Sequence, residues 1–266
     1  MDDDEFVKPP TRQEVATSVQ DLQSRADRGS LSLKDATECM HKARKHCELY
    51  SRDDVGTLCR ELNLGVRVLR WYQDLYPNHA RDHDDDAPAE FIHQLCWLLV
   101  AQGREDLIWD WLKAICQDAI ARLPPEIAHA FPVPYKWCRR LTAGFVQAQI
   151  DTALKRNPNT ALRTFQRLMH LTSSSGKFHR VIPMVNAAVA LQKRLMDEMD
   201  QECPPCNEDS FEYFLSVPEV MQAPNRRAPY RARLRLFHPH QPSAMEFYTL
   251  VRDGDPYVSR DSFNSI

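Results

Sequence analysis

Two groups of residues in this chain have types and spacings that could do chemistry. The first is Cys203-Pro204-Pro205-Cys206, the C-x-x-C spacing of a zinc half-site or a redox pair. His238 and His240 could supply two further ligands, although H-x-H departs from the usual second spacing of such sites. A thioredoxin-like role needs a βαβ context that the sequence lacks. An incidental proline turn accounts for the same four residues, so no metal centre is expected, and Cys203, Cys206, His238 and His240 are the only candidates for one.

The second group is a run of cations. Residues 127–196 carry 11 Lys/Arg and a single acid, Asp151, a net charge of +10. They lie between an acidic first part (residues 1–126, net −8) and an acidic last part (residues 197–266, net −5). A basic block of that purity faces either a polyanion or the acidic parts of its own fold. Lys136 and Arg140 stand at i, i+4, as do Arg163 and Arg167, and Arg139, Lys155 and Arg156 extend the set. Like charges at that spacing cost a helix roughly 0.2–0.5 kcal/mol per pair, and a nearby anion relieves the cost. Phosphate contact along an RNA or DNA backbone is one reading; packing against the acidic first half, which is the favoured one, and an acidic protein partner are the others. Arg231, Arg233 and Arg235, interleaved with Tyr230 and Phe237, form a second basic stretch with the arginine-plus-aromatic chemistry of single-strand binding. An arm folded back onto the acidic N-terminal helices, or a solvated linker, explains it better.

Other constellations have structural explanations. His79, His83, Asp84, Asp85, Asp86 and Glu90 form a charged loop without the ligand spacing of an EF-hand. There is no P-loop, dinucleotide fingerprint, H-E-x-x-H or nucleophile elbow. The sequence therefore points to no catalytic residue, no cofactor and no small-molecule substrate. No stretch reaches the roughly 18–20 apolar residues of a membrane span, so no membrane partner is expected. Eight scattered cysteines without a secretory signal read as free thiols. The chain as it stands reads as cytoplasmic or nuclear, organellar only if it begins upstream of Met1.

The elements that must position these residues are helices. Gly is rare, at 7, Pro is plentiful, at 18, and prolines cluster where helices should end. The spacing predicts a helix from Thr11 with Glu14 as capping box, and one from about Ser32 burying Ala36, Cys39, Met40, Ala43 and Cys47. A third runs from about Asp53 to Tyr72, with Gly65 as its candidate break. Further helices are predicted over 88–102, closed by Gly103, and over 104–122, 135–156, 158–172 and 177–201. Asn157 suits the N-cap and Pro158 the first position of the helix that follows it. Leu107, Trp111, Ile115, Leu162 and Phe165 belong to the expected core. Trp109 falls off the buried stripe of its helix and should line a groove or a neighbouring helix. Beyond Cys203 only Asp209–Val217 reads as helical. Tyr230–Phe237 alternates Arg with apolar residues, and period 2 predicts an extended segment.

The stretch Phe91–Arg104 leading into Leu107–Leu112 resembles a pentatricopeptide unit, one of the α-helical repeat families of the pentatricopeptide and tetratricopeptide type. Its first helix ends in Gly-Arg and passes directly into an amphipathic second one. Ala153–Met169 has a similar outline, with Ala161, Phe165 and Met169 at the matching positions. The resemblance covers about a third of the chain. The turns at Gly103 and Asn157 lie 54 residues apart, against one repeat of about 34. It implies helix pairing and carries no base-reading residues.

The expected fold is thus all-α: antiparallel helix pairs stacked as an irregular α-solenoid or bundle, with a Pro-rich extended C-terminal tail. Residues 1–9 form a disordered acidic start. Residues 10–203 form the helical domain, with a mobile loop at 79–87 and a Pro-rich connection at 123–134. Residues 204–266 form a largely irregular tail. The function that follows is a non-enzymatic helical scaffold binding another macromolecule, a protein, through its helix-stack face. The alternative is an RNA-binding helical-repeat protein that uses the basic block at 136–180.

Overall fold

The computed structural model describes residues 9–76, 88–122, 136–153, 157–173, 184–197, 206–217 and 224–256. In them the chain is all-helical, with no strand. The helices are α1 (Arg12–Asp27), α2 (Leu33–Cys47), α3 (Arg52–Leu62), α4 (Leu64–Leu75), α5 (Ala89–Ala101) and α6 (Glu105–Arg122), then α7 (Lys136–Thr152), α8 (Asn159–Ser173), α9 (Val185–Asp197), α10 (Glu208–Ser216), α11 (Pro224–Leu236) and α12 (Met245–Arg252). No helix among the described residues is long and apolar enough to cross a membrane. The expected disordered start (apart from Pro9), the loop at 79–87 and the connection at 123–134 lie outside the described residues.

Local chemistry sets most of the helix ends. Thr11 and Glu14 form a reciprocal capping box on α1, and Ser32 and Asp35 form one on α2, so two orphan backbone donors are satisfied at each start. Gly103 closes α5 with φ at +71°, a conformation that costs glycine nothing. The amides of Gly103 and Arg104 turn back to the carbonyls of Val100 and Leu99, at 2.9 and 2.8 Å, which is the Schellman pattern. Asn157 Oδ1 accepts from the Asn159 amide at 2.9 Å, but the first helical bond runs from the Leu162 amide to the Pro158 carbonyl, so the N-cap position of α8 falls on Pro158, one residue after the predicted one.

The third predicted helix breaks, but not at Gly65. The break is at Asn63, in the left-handed region with φ at 48°. Asparagine tolerates that region better than other non-glycine residues. The junction is fixed by the Cys59 carbonyl, which accepts both the Asn63 amide at 3.0 Å and the buried Gln102 side chain at 2.9 Å. Gly65 serves a different purpose inside α4. A Cβ there would stand 3.1 Å from Leu98 Cβ and 3.2 Å from the Leu99 backbone nitrogen, so its absence lets α4 lie directly on α5.

Helix α5 organises the core. Phe91, Ile92, Leu95, Cys96, Trp97, Leu98, Leu99 and Val100 are all buried, on every side of the helix. A helix apolar all round must be enclosed, and α5 is: α2, α3 and α4 cover it from the N-terminal side, α6 and α7 from the other. Packing continues from α7 to α9 and α8, and from α8 to α10. Of the expected core residues, Trp111, Leu162 and Phe165 are buried and Leu107 is half-buried; the side chain of Ile115 lies outside the described residues.

The predicted extended segment Tyr230–Phe237 is instead part of α11, which has Pro229 inside it. The alternation misled because α11 is buried on two faces. Tyr230 and Leu234 face the main core, whereas Ala232 and Leu236 pack with Phe247 of α12. Each pair is spaced i, i+4, and two apolar stripes on opposite sides of a helix imitate period 2. With α10 and α12, the tail beyond Cys203 contains three helices rather than one.

The α4–α5 contact gives a direct test. Gly65→Ala forces a methyl against backbone, at an overpacking cost of roughly 1–3 kcal/mol, which outweighs the ~1 kcal/mol that alanine gains in a helix. Gly56→Ala, whose Cβ would meet nothing closer than 3.4 Å, is the control. Urea unfolding should show a lowered midpoint for Gly65→Ala and an unchanged or raised one for Gly56→Ala. Equal behaviour of the two would mean that the helices do not approach as described.

Candidate functional site

A cleft of about 650 Å³ opens between the two parts of the helical domain. That is within the roughly 300–1,000 Å³ of ligand-binding clefts. One wall is the end of α2, the turn after it and the start of α3, with Arg44, Glu48, Tyr50 and Val55. The opposite wall is the end of α7, the first turn of α8 and α9, with Asp151, Thr160 and Arg194. Trp97 and Val100 of α5, Ile150 of α7 and Glu105 of α6 complete the lining. The surface thus offers a mixed lining, with charges of both signs around Tyr50 and Val55, while Trp97, Val100 and Ile150 are buried beneath it.

The walls are tied together at one end of the cleft. Arg44 sends one guanidinium nitrogen to Asp151 Oδ2 at 3.0 Å and Nε to Glu48 Oε1 at 2.7 Å. Its guanidinium carbon lies 5.1 Å from the centre of the Trp97 ring, within cation–π range. His93 Nε2 sits 3.3 Å from the same Asp151 oxygen, and Gln147 donates to the other at 2.7 Å. Burial pushes the Asp151 carboxyl up, but hydrogen bonds from His93 and Gln147 and the Arg44 charge outweigh it, leaving it below the ordinary carboxylate range. Complementation between the charge blocks therefore runs opposite to the expected direction. A cation of the acidic first half grips the one acid of the basic block.

The predicted cations divide. Arg139, Arg163 and Arg167 are exposed, as is Lys193, and Arg140 is half-buried. Lys136 opens α7, but its side chain, with Lys155 and Arg156, lies outside the described residues. No ion pair of Arg139, Arg163, Arg167 or Lys193 is found among the described residues. Arg167 stacks over Trp109 at 4.5 Å, and Trp109 meets Phe145 of α7 edge to face at 5.2 Å. Trp109 therefore bridges α6 to its neighbours, one of the two positions expected of it. The tail arginines do not form one basic edge. Arg231 and Arg235 share a face of α11 and reach Glu246 of α12, at 3.8 and 2.9 Å. Arg233 lies two residues from each and is half-buried.

Of the metal candidates, Cys206, His238 and His240 fall among the described residues. His238 is buried, and its Nδ1 accepts the amides of His240 and Gln241, at 3.2 and 2.9 Å. Nε2, 2.9 Å from Glu212 Oε1, then carries the proton. His238 thus holds the turn between α11 and α12, with neither nitrogen open to a metal. His240 is exposed, Cys206 is buried beside α10, and Cys203 lies outside the described residues. No cluster of three His, Cys, Asp or Glu side chains able to hold a metal occurs among the described residues.

Sequence reasoning did not single out Arg44, His93 or Gln147 as a group. The signal was Asp151, whose isolation in a basic block marks it as the block's one anchor for a cation. No family model matches the chain, nor does any curated protein or solved structure.

The clamp should be visible in the pH dependence of stability. A carboxyl with a lowered folded-state pKa stabilises above the ordinary carboxylate range, and that contribution is lost as pH falls through its folded value. Asp151→Asn should therefore destabilise at pH 7, by up to about 3 kcal/mol as one member of a largely buried pair is lost. Its deficit relative to the parent should shrink by about pH 3. Urea unfolding at both pH values measures this, and an equal deficit at both would show that the Asp151 charge is not what ties the walls.

Proposed function

We propose that this protein is a non-enzymatic helical scaffold that takes an extended segment of a partner protein into the cleft between α2–α3 and α7–α9. The observation that carries this reading is the lining. Tyr50 and Val55 with Arg44, Arg194, Glu48 and Glu105 around them suit a peptide with both apolar and charged side chains. Helices α2, α5, α7 and α9 pack in succession, with α6 and α8 alongside. That order supports an irregular stack of helix pairs, an architecture whose grooves serve extended partners.

Thr160 stands exposed on the cleft rim in the first turn of α8, so Thr160→Trp should fill the cleft without disturbing the core. Peptides selected from a random display library against the parent protein should lose at least about tenfold in affinity for this variant, or ~1.4 kcal/mol. Selected peptides that bind parent and variant alike would place recognition elsewhere and remove this reading.

A second reading, RNA binding, is favoured by one observation: Arg139, Arg163, Arg167 and Lys193 are exposed and have no acidic partner among the described residues. If these four contact phosphates, affinity for a single strand should fall with salt at a log–log slope of about −3, at ~−0.7 per contact. Changing all four to Gln should flatten that slope while leaving the helices folded. Absence of binding at low salt removes the RNA reading and leaves the cleft untouched.

A further inference from the structure

Cys47 is the last residue of α2 and Cys59 lies in α3, and both are fully buried. Their sulfurs are 3.5 Å apart, the Cys59 thiol pointing at the Cys47 sulfur. A disulfide needs about 2.0 Å, so the gap to close is a small side-chain movement. Between the two cysteines runs the turn Glu48–Ser51, whose Leu49 and Tyr50 are 57% and 41% exposed. Glu48 and Tyr50 of this turn, with Val55 and Gly56 of α3, form one wall of the cleft.

We propose that Cys47 and Cys59 are a peroxide-oxidisable dithiol that closes to a disulfide and fixes the α2–α3 turn. The chemistry needs only hydrogen peroxide as co-reactant. The Cys47 thiolate attacks one peroxide oxygen and the O–O bond breaks, giving Cys47 sulfenic acid and hydroxide, which takes up the proton that Cys47 released. Cys59 sulfur then attacks the Cys47 sulfur, the S–O bond breaks, and the departing hydroxide takes the Cys59 proton. Two thiols are oxidised by two electrons, and one peroxide becomes two waters. The arrangement assigns the order of events. Donation from Cys59 holds the Cys47 thiol below its ordinary range, whereas that same bond and burial hold Cys59 above it; both directions favour Cys47 as the first to react. Both sulfurs are buried, so peroxide reaches them when the turn opens locally, which must release the Arg44–Glu48 bond and the Tyr50 contact with the His46 ring while Leu49 is already exposed. By contrast Cys96 is enclosed within α5, and burial alone raises its thiol. This inference is independent of what occupies the cleft.

The sequence makes the test clean. Trypsin cleaves after Lys45, Arg52 and Arg60, so His46–Arg52 and Asp53–Arg60 each carry one cysteine. The intact protein, treated with hydrogen peroxide under native conditions, alkylated and digested without reductant, should yield these two peptides linked. The pair should weigh about 2 Da less than the sum of its parts and separate on reduction. Cys59→Ala should leave Cys47 as a sulfenic acid trapped by dimedone. In the oxidised parent, hydrogen exchange of amides 48–52 should slow about tenfold relative to the reduced form. Both peptides recovered alkylated, or oxidised singly to sulfinic acid, would overturn the proposal, as would preferential linkage of either cysteine to another. A linked pair with unchanged exchange over 48–52 would overturn the fixing of the turn. The parent measurement stands even if the variant fails to fold.

Discussion

A helix without a polar face has nowhere to go but inside, and α5 is such a helix. Nine of its side chains are buried, eight of them apolar and pointing in every direction around the axis. Exposing even one flank would cost about 25 cal/mol for each Å² of apolar surface left in water. The chain supplies cover from two sources: α2, α3 and α4 before it, α6 and α7 after it. The order of the remaining helices follows from that enclosure. Because Gly65 admits α4 to van der Waals contact with Leu98, the N-terminal cover is close and leaves little freedom in how α3 and the preceding turn are placed.

Charge plays a smaller and more local part than the composition suggests. A net +10 block next to a net −8 segment invites a picture of broad attraction between them. Among the described residues, the two meet in a knot in which Arg44, His93 and Gln147 converge on Asp151. Each Asp151 oxygen is engaged, and Trp97 backs the guanidinium. Such a knot selects one relative placement of α2 and α7, since a slip by a residue would leave a charge half-desolvated. Meanwhile Arg139, Arg163, Arg167 and Lys193 remain on the surface. The polar group that joins the halves and the cations facing outward thus do separate jobs.

What could be read from the chain in advance was what depends on near neighbours. Thr11 with Glu14, Ser32, Gly103 and Asn157 mark helix ends through bonds that span two to five residues, and the local sequence contains both partners. The helical class follows from the same local signals together with apolar spacing. What escaped was set by distant contacts. The Arg44–Asp151 bond joins residues 107 apart, and nothing near either one announces the other. The break at Asn63 rather than Gly65 depends on Gln102 reaching the Cys59 carbonyl and on Leu98 lying over Gly65. In α11, burial on two faces produced an apolar pattern that a one-faced model of a helix reads as a strand. Of the candidate C-x-x-C with two histidines, Cys203 lies outside the described residues, and His238 holds backbone amides.

The placement of α5 has a consequence for how the chain comes into being. During synthesis α5 leaves the ribosome with α1 to α4 already made, but α7, which covers its other side, begins only at Lys136. At about 5–20 residues per second, the interval between Ala101 and Lys136 lasts roughly 2–7 s, far longer than hydrophobic collapse takes. For those seconds the nascent chain carries a bare apolar ridge that its own N-terminal half cannot hide. The ridge is also the segment that a truncated product would expose permanently. The protein is therefore divisible on paper into an N-terminal and a middle part, yet not in the cell's handling of it: neither part is complete until the helix they share has been covered from both sides.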